Sequence, residues 1–247
     1  MTGDRIAAPG TAEQVWTPWL TAQDWPAWVP DPSWTRVAVC AAHPDDEVLG
    51  AGGVLALLAG AGVPVHLVAA TDGEGSHPGS VALPAAELAA ARVAETVAAL
   101  AELGVPARVT RLRLPDSGLA GCEGELTERL AAAVAGCDAV LAPWTGDAHP
   151  DHEAVGRAAV AAGAAAGVPV WQYPVWAWHW ATPEDPRVPW HTAHRVDLPP
   201  AVRAAKRAAV ARFVTQVQPL GPAPADRAVL PAGVLAHFDR DLEVLFR

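Results

Sequence analysis

The residues best able to do chemistry sit in two short stretches far apart in the chain. The first, "HPDDE" at 43–47, ends a run of small apolar residues with three acidic side chains in a row. Carboxylates placed side by side repel, so a cation or a catalytic task is the first explanation to test. The second, "HPDH" at 149–152, repeats His-Pro-Asp and again adds a potential ligand. His43, Asp46 and His152 together supply two imidazoles and one carboxylate, a set that suits a catalytic zinc with a position left open for water. Iron(II) fits the same donors. A divalent ion would neutralise Asp46 and relieve its repulsion with Asp45, leaving Asp45 beside the ion to take a proton from water. His149 could stabilise an oxyanion or protonate a leaving amine. Asp151 could hold His149 charged and oriented through a hydrogen bond to its ring. These parts describe metal-assisted hydrolysis of an acyl bond.

Such residues act together only if the fold delivers them to one place. "RVAVCAA" (36–42) reads as a buried strand running straight into the first cluster. Further strands are expected at 63–71, 108–114, 137–143, 169–175 and 192–198. Helices are expected between and after them at 46–62, 84–103, 124–135, 152–166 and 200–214, with Val93, Val97 and Leu100 at helical spacing. This alternation predicts an α/β fold with a mostly parallel sheet covered on both faces. Sites in such sheets gather beyond the carboxyl ends of the strands. "HPDDE", "DGEG" and "WTGDAHPDH" each follow a strand, so all three polar clusters fall on one sheet edge. The final stretch predicts a Pro-rich loop and a short terminal helix docked on the body. Residues 1–34 hold Trp16, Trp19, Trp25, Trp28 and Trp34 and predict an extension packed on a single domain at 35–247. A lid over the site is the sharper alternative.

Other residues carry two readings. Asp72 and Glu74 belong to a plain turn or contact substrate. Arg92 and Glu95, three apart on a helix, read as a weak surface pair. His66 reads as a core residue and His77 as solvent-exposed. The run Trp171, Tyr173, Trp176, Trp178, His179 and Trp180 packs one face of a strand or forms a platform for sugars or acyl chains. "GAGG" (50–53) lacks the spacing of a dinucleotide loop, and the adjacent carboxylates would repel a pyrophosphate. Cys40, Cys122 and Cys137 are too scattered for a disulfide scaffold or a Cys-based metal site and read as small buried hydrophobes.

With these residues in view, the chain resembles the zinc-dependent de-N-acetylases, the family that includes the glycosylphosphatidylinositol-precursor deacetylase and the deacetylases of mycothiol and bacillithiol biosynthesis. The resemblance is carried by "AHPDDE" (42–47), "TDGEG" (71–75), Arg92 and Glu95, "HPDH" (149–152) and "YPVWAW" (173–178), across 36–215. It implies a Rossmann-like three-layer fold, zinc on His43, Asp46 and His152, Asp45 as general base, and His149 assisting at the oxyanion or leaving group. It also implies that Arg92 faces the site. Some thiol-pathway members carry a tyrosine two residues before the first histidine of "HPDH", where this chain has Asp147.

Composition sets the outer limits. A net charge of −10 without any Lys/Arg-rich run argues against a nucleic-acid partner. No apolar stretch reaches the length of a membrane span and no signal pattern opens the chain, so a cytoplasmic protein is the default. The expected partner is a small N-acylated molecule: an amino sugar or sugar conjugate losing an acetyl group. The alternative is a larger conjugate or an antibiotic intermediate cleaved by the same chemistry. The tryptophan-rich surface would serve contacts between copies of the chain equally well, which leaves a homo-oligomer open.

Overall fold

Five parallel strands carry the core: β1 (Val37–Ala41), β2 (Val65–Ala69), β3 (Arg108–Arg111), β4 (Ala139–Pro143) and β5 (Val170–Tyr173). In the computed structural model, which describes residues 5–247, β1, β2 and β4 are buried at every position. Their sequences, "VAVCA", "VHLVA" and "AVLAP", are nearly continuous apolar runs, as strands covered on both faces require. The first four residues of the expected 1–34 extension lie outside the described residues. With β6 (Ala193–Asp197) and β7 (Leu242–Phe246) the sheet has seven strands in the order β3-β2-β1-β4-β5-β7-β6.

The helices are α1 (Glu13–Thr21), α2 (Asp46–Gly60), α3 (Ala85–Glu102), α4 (Glu123–Val134), α5 (Pro150–Ala166), α6 (Ala177–Trp180), α7 (Pro200–Val210), α8 (Val214–Val217) and α9 (Ala232–Leu235). Leu126 and Leu130 of α4 and Val155 and Ala158 of α5 pack with Cys40, Val68 and Val140 on one face of the sheet. Leu55 and Leu58 of α2, Leu100 of α3 and Ala209 of α7 pack with Val39, Leu67 and Leu141 on the other. The result is the three-layer α/β arrangement that the strand–helix alternation predicts.

The C-terminus differs from expectation. Residues 242–246 form β7, not a helix, and β7 runs antiparallel to both β5 and β6. A five-residue run with Val and Phe is too short for a stable helix, whereas between two strands its backbone groups find ladder partners. β7 also brings Glu243 to a break in α2, where Ala51 leaves the helical conformation (φ −142°, ψ 16°). The freed Leu49 carbonyl accepts from Lys206 Nζ at 2.8 Å, and the Gly53 and Val54 amides donate to Glu243 at 2.7 and 2.9 Å. Lys206 and Glu243 pair at 2.6 Å, both nearly fully buried. A buried ion pair thus supplies the hydrogen bonds that the interrupted helix lacks.

In the same core layer the N-terminal segment is fastened by its indoles. Trp16 is fully buried, meets Trp178 edge to face at 5.2 Å and donates its indole N–H to the Trp178 carbonyl at 2.8 Å. Glu13 accepts from His237 at 2.7 Å and from Arg240 at 2.7 and 2.8 Å. The Trp28 amide donates to Arg195 of β6 at 2.7 Å, which covers part of the sheet's open edge.

Candidate active site

β1 and β4 are neighbours in the sheet, so their carboxyl ends release the two His-Pro-Asp segments side by side. Ligand nitrogens of His43, His149 and His152 lie within 4.8 Å of one another. Pro150 opens α5, where its missing N–H costs nothing, and His149 caps that helix by accepting from the Asp151 amide at 3.3 Å. One turn further on, a Cβ at Gly156 would come 2.5 Å from the Pro143 carbonyl. Only glycine lets α5 lie this close to β4, and that approach carries His152 over the end of β1.

The donor chemistry of this cluster fits a divalent metal. His152 Nδ1 lies 2.7 Å from Asp147 Oδ2, an acceptor, which places the ring proton on Nδ1. The opposite nitrogen, Nε2, is buried and makes no hydrogen bond, although Asp46 Oδ1 is 3.1 Å away. At that distance the ring nitrogen and the carboxylate oxygen call for a positive centre between them, a proton or a metal ion. The other oxygen of Asp46 accepts from the Ala42 and His43 amides at 3.0 and 2.8 Å and lies 3.6 Å from His43 Nδ1. Burial works against charge at His43, but Asp116, Asp151 and Asp46 outweigh it and hold its pKa well above the usual value. Burial likewise opposes charge at His152, and Asp46 and Asp147 raise it to about 9. A divalent ion at the cluster would take the place of those protons.

Asp45 sits at the head of α2 with φ 125° and ψ −31°, a strained backbone for a non-glycine residue. Arg92 braces this turn. Its guanidinium donates to the Pro44 carbonyl at 2.6 Å, the Gly73 carbonyl at 3.0 Å and Asp45 Oδ2 at 3.2 Å. Gly73, at φ +74°, has no side chain to collide with that guanidinium. Burial raises the Asp45 pKa to about 7 against the opposing pull of Arg92. Burial also raises Glu47, whose Oε1 has no partner, to about 8. His149 moves the other way: burial and the neighbouring His152 and His43 lower it to about 3.

Three expectations need correction. The Asp151 carboxylate does not orient the His149 ring. It accepts from the Ser117 and Leu119 amides at 2.7 and 3.1 Å and lies 3.3 Å from His43 Nε2, because α5 turns it toward the 116–119 loop. Asp72 and Glu74 do not reach the cavity over the cluster: Asp72 pairs with Arg111 at 2.5 and 2.7 Å, and Glu74 accepts from the Asp116 amide at 3.0 Å. His77, expected at the surface, is buried, because the 215–230 segment folds over its loop. Ser80 donates to Asp226 at 2.6 Å and Gln216 to Ser76 at 3.3 Å across that seam.

The cavity above the cluster, about 160 Å³, is walled on its apolar side by Leu49, Val175, Trp176, Val229 and Leu230. Of the aromatic run, Trp171, Tyr173 and Trp178 are buried packing residues and Trp176 reaches the cavity. Among the described residues, none from 5–34 lines it. Two acidic site residues escaped the sequence reading. Asp116, from "LPDSG", places Oδ1 3.2 Å from His43 Nε2, and a lone aspartate in a loop carries no sequence signal for that. Asp147, noted only as a departure, is completely buried, and its carboxylate accepts from the Val175, Trp176 and Ala177 amides at 3.0, 2.9 and 2.9 Å as well as from His152. Its position two residues before "HPDH" was the available clue.

Comparison with known proteins bears on this geometry. The 1D-myo-inositol 2-acetamido-2-deoxy-alpha-D-glucopyranoside deacetylase of Mycolicibacterium vanbaalenii is 34% identical over 169 residues, covering 58% of this chain and 58% of that protein. The protein of the same name from Rhodococcus erythropolis is 33% identical over 178 residues, covering 60% and 59%. The chain thus spans less than two thirds of the length of these curated relatives. Among solved structures, the zinc-inhibited form of a teicoplanin deacetylase superposes with a TM-score of 0.59 at 25% identity, covering 74% of this chain and 85% of that one. The N,N'-diacetylchitobiose deacetylase of Pyrococcus horikoshii shares the fold, with a TM-score of 0.56 at 24% identity and coverage of 84% and 82%. A family model described as PIG-L, GlcNAc-PI de-N-acetylase, matches residues 38–163, just over half of the chain and the part that carries both His-Pro-Asp segments. The chain belongs to this de-N-acetylase family.

Proposed function

We propose that the protein is a zinc-dependent hydrolase that removes an N-acyl group, acetyl first, from an amino sugar or a sugar-containing conjugate. The observation that carries this reading is the meeting of His43, Asp46 and His152 at one strand edge, with the unpartnered His152 Nε2 turned toward Asp46 and the buried Asp45 alongside. Zinc bound by those three residues would supply Lewis acidity for the acyl carbonyl and acidify water. Iron(II) would serve the same donors. Asp45, with a pKa near neutrality, is suited to accept a proton from water and return it to the departing amine. Arg92 keeps its carboxylate in place. His149 accepts the Asp151 amide at Nδ1, so its neutral ring carries the proton on Nε2 and can donate it to a developing oxyanion. The names of the M. vanbaalenii and R. erythropolis relatives, both 2-acetamido-sugar deacetylases, point to the same substrate class.

A second reading, cleavage of a larger or longer-chain N-acyl conjugate, is favoured by the apolar wall of Leu49, Val175, Trp176 and Leu230 and by the likeness to the teicoplanin deacetylase. One experiment tests both. Zinc-loaded protein is incubated with N-acetylglucosaminides and with longer N-acyl conjugates, and free amine is followed by mass spectrometry. Amine from the acetyl sugars supports the first reading, and amine only from the longer series supports the second. Amine from neither, with zinc bound, defeats both.

A further inference from the structure

Asp147 joins two parts of the molecule that no sequence motif connects. Oδ2 accepts from His152 Nδ1 at 2.7 Å and from the Trp176 amide at 2.9 Å, while Oδ1 accepts from the Val175 and Ala177 amides at 3.0 and 2.9 Å. Its own carbonyl accepts from the Trp180 indole at 3.0 Å. A carboxylate that gathers consecutive amides is by itself an ordinary loop staple. Here the same oxygen also holds the ring whose far nitrogen faces Asp46.

From this geometry we infer that Asp147 is a positioning residue that sets the coordinating tautomer of His152 and the seating of Val175 and Trp176 in the cavity wall with one side chain. The inference rests on the metal-site reading and extends it to the surface that meets substrate. A neutral imidazole carries one proton, and a neighbour that only accepts keeps that proton on Nδ1, leaving the Nε2 lone pair for a cation. Without the carboxylate, the 175–177 segment would bury three amides with no acceptor, each a costly loss. Because both sets of bonds meet on Oδ2, the ligand ring and the wall are held in one fixed relation.

Two variants separate these roles. D147N leaves one acceptor oxygen for four donors; with that oxygen kept on the Val175 and Ala177 amides, an NH₂ group faces His152 and the Trp176 amide. That group cannot accept from Nδ1, so the ring proton shifts to Nε2 and blocks the coordinating pair. D147A removes both functions. Zinc affinity is read by competition with a chromophoric chelator, and amide protection at 175–177 by hydrogen exchange. In D147N zinc affinity falls about 10–100-fold while protection at 175 and 177 persists; in D147A both are lost. Zinc affinity in D147N within about twofold of the parent, well short of the loss expected, overturns the tautomer role. Unchanged protection in D147A overturns the wall role. Should D147A fail to fold, D147N decides both roles, its zinc titration for the tautomer and its amide protection at 176 for the wall, where unchanged protection overturns that role. A parent that binds no zinc overturns this inference and the functional reading together. A parent that binds zinc but frees no amine sinks only the function.

Discussion

The head and the break of α2 bury charge in opposite ways. At its middle, Lys206 and Glu243 close a helix break with every exchanged hydrogen bond satisfied: Leu49 to the lysine, Gly53 and Val54 to the glutamate, and the two side chains to each other. At its head, Asp45, Asp46 and Glu47 crowd together, Glu47 Oε1 and His152 Nε2 lack hydrogen bonds, and Asp45 is lifted to about 7. The first cluster is complete within the chain and contributes structure. The second crowds three carboxylates and leaves polar atoms unpaired, the pattern expected where a site binds or reacts.

The contrast predicts that damage at the head of α2 removes activity with little loss of stability, while damage at its break does the reverse. The largest expected effect is from D45N. Its kcat should drop by about 10²–10⁴-fold with zinc content and thermal midpoint retained, as steady-state kinetics and metal analysis would report. Loss of zinc in step with activity would reassign Asp45 to metal binding. Next comes K206A, which leaves Glu243 buried without its partner and should cost about 3–5 kcal/mol in denaturant unfolding. A smaller loss would mean that water reaches the break.

The N-terminal clamp offers a milder version of the saturated type. Burial opposes ionisation of Glu13, but hydrogen bonds from His237 and Arg240 win and lower its pKa from 4.5 to about 2. A lowered folded-state pKa stabilises the protein above pH 4.5, and the gain disappears as pH falls from 4.5 toward 2. Solvent screening trims it to about 1–2 kcal/mol. The stability gap between parent and E13Q, measured across that window, should therefore close on acidification. The smallest effect is expected of D72N and E74Q, whose side chains lie outside the cavity: kcat/KM should change by less than about twofold, in keeping with surface substitutions. A larger loss would place the "DGEG" turn in the substrate path after all.

Much of the site could be read from residue types, because chemistry limits which side chains can bind a metal or move a proton, and "HPDDE" and "HPDH" are dense in them. Asp151 was given the wrong contact because helix phase, not sequence distance, decides where a side chain points. Asp72 and Glu74 looked like neighbours of the site because their loop follows a strand on the right edge. Arg111, on β3, draws Asp72 away. The C-terminal strand was not legible because a five-residue run with four apolar side chains shows no clear period until a slot in a sheet exists to receive it.

The amino-acid order alone determined the alternation of strands and helices, the sheet edge on which the reactive residues fall, and which side chains there are of metal-binding type. These follow from periodicity and from the chemistry of single side chains, both of which are local. The tertiary structure alone decided that Asp147 would tie His152 to the cavity wall, that Asp116 would approach His43, and that residues 216 and 229–230 would close over the site. Each depends on segments distant in sequence meeting in space, and the energy of such a contact belongs to the pair and does not exist until the chain has folded.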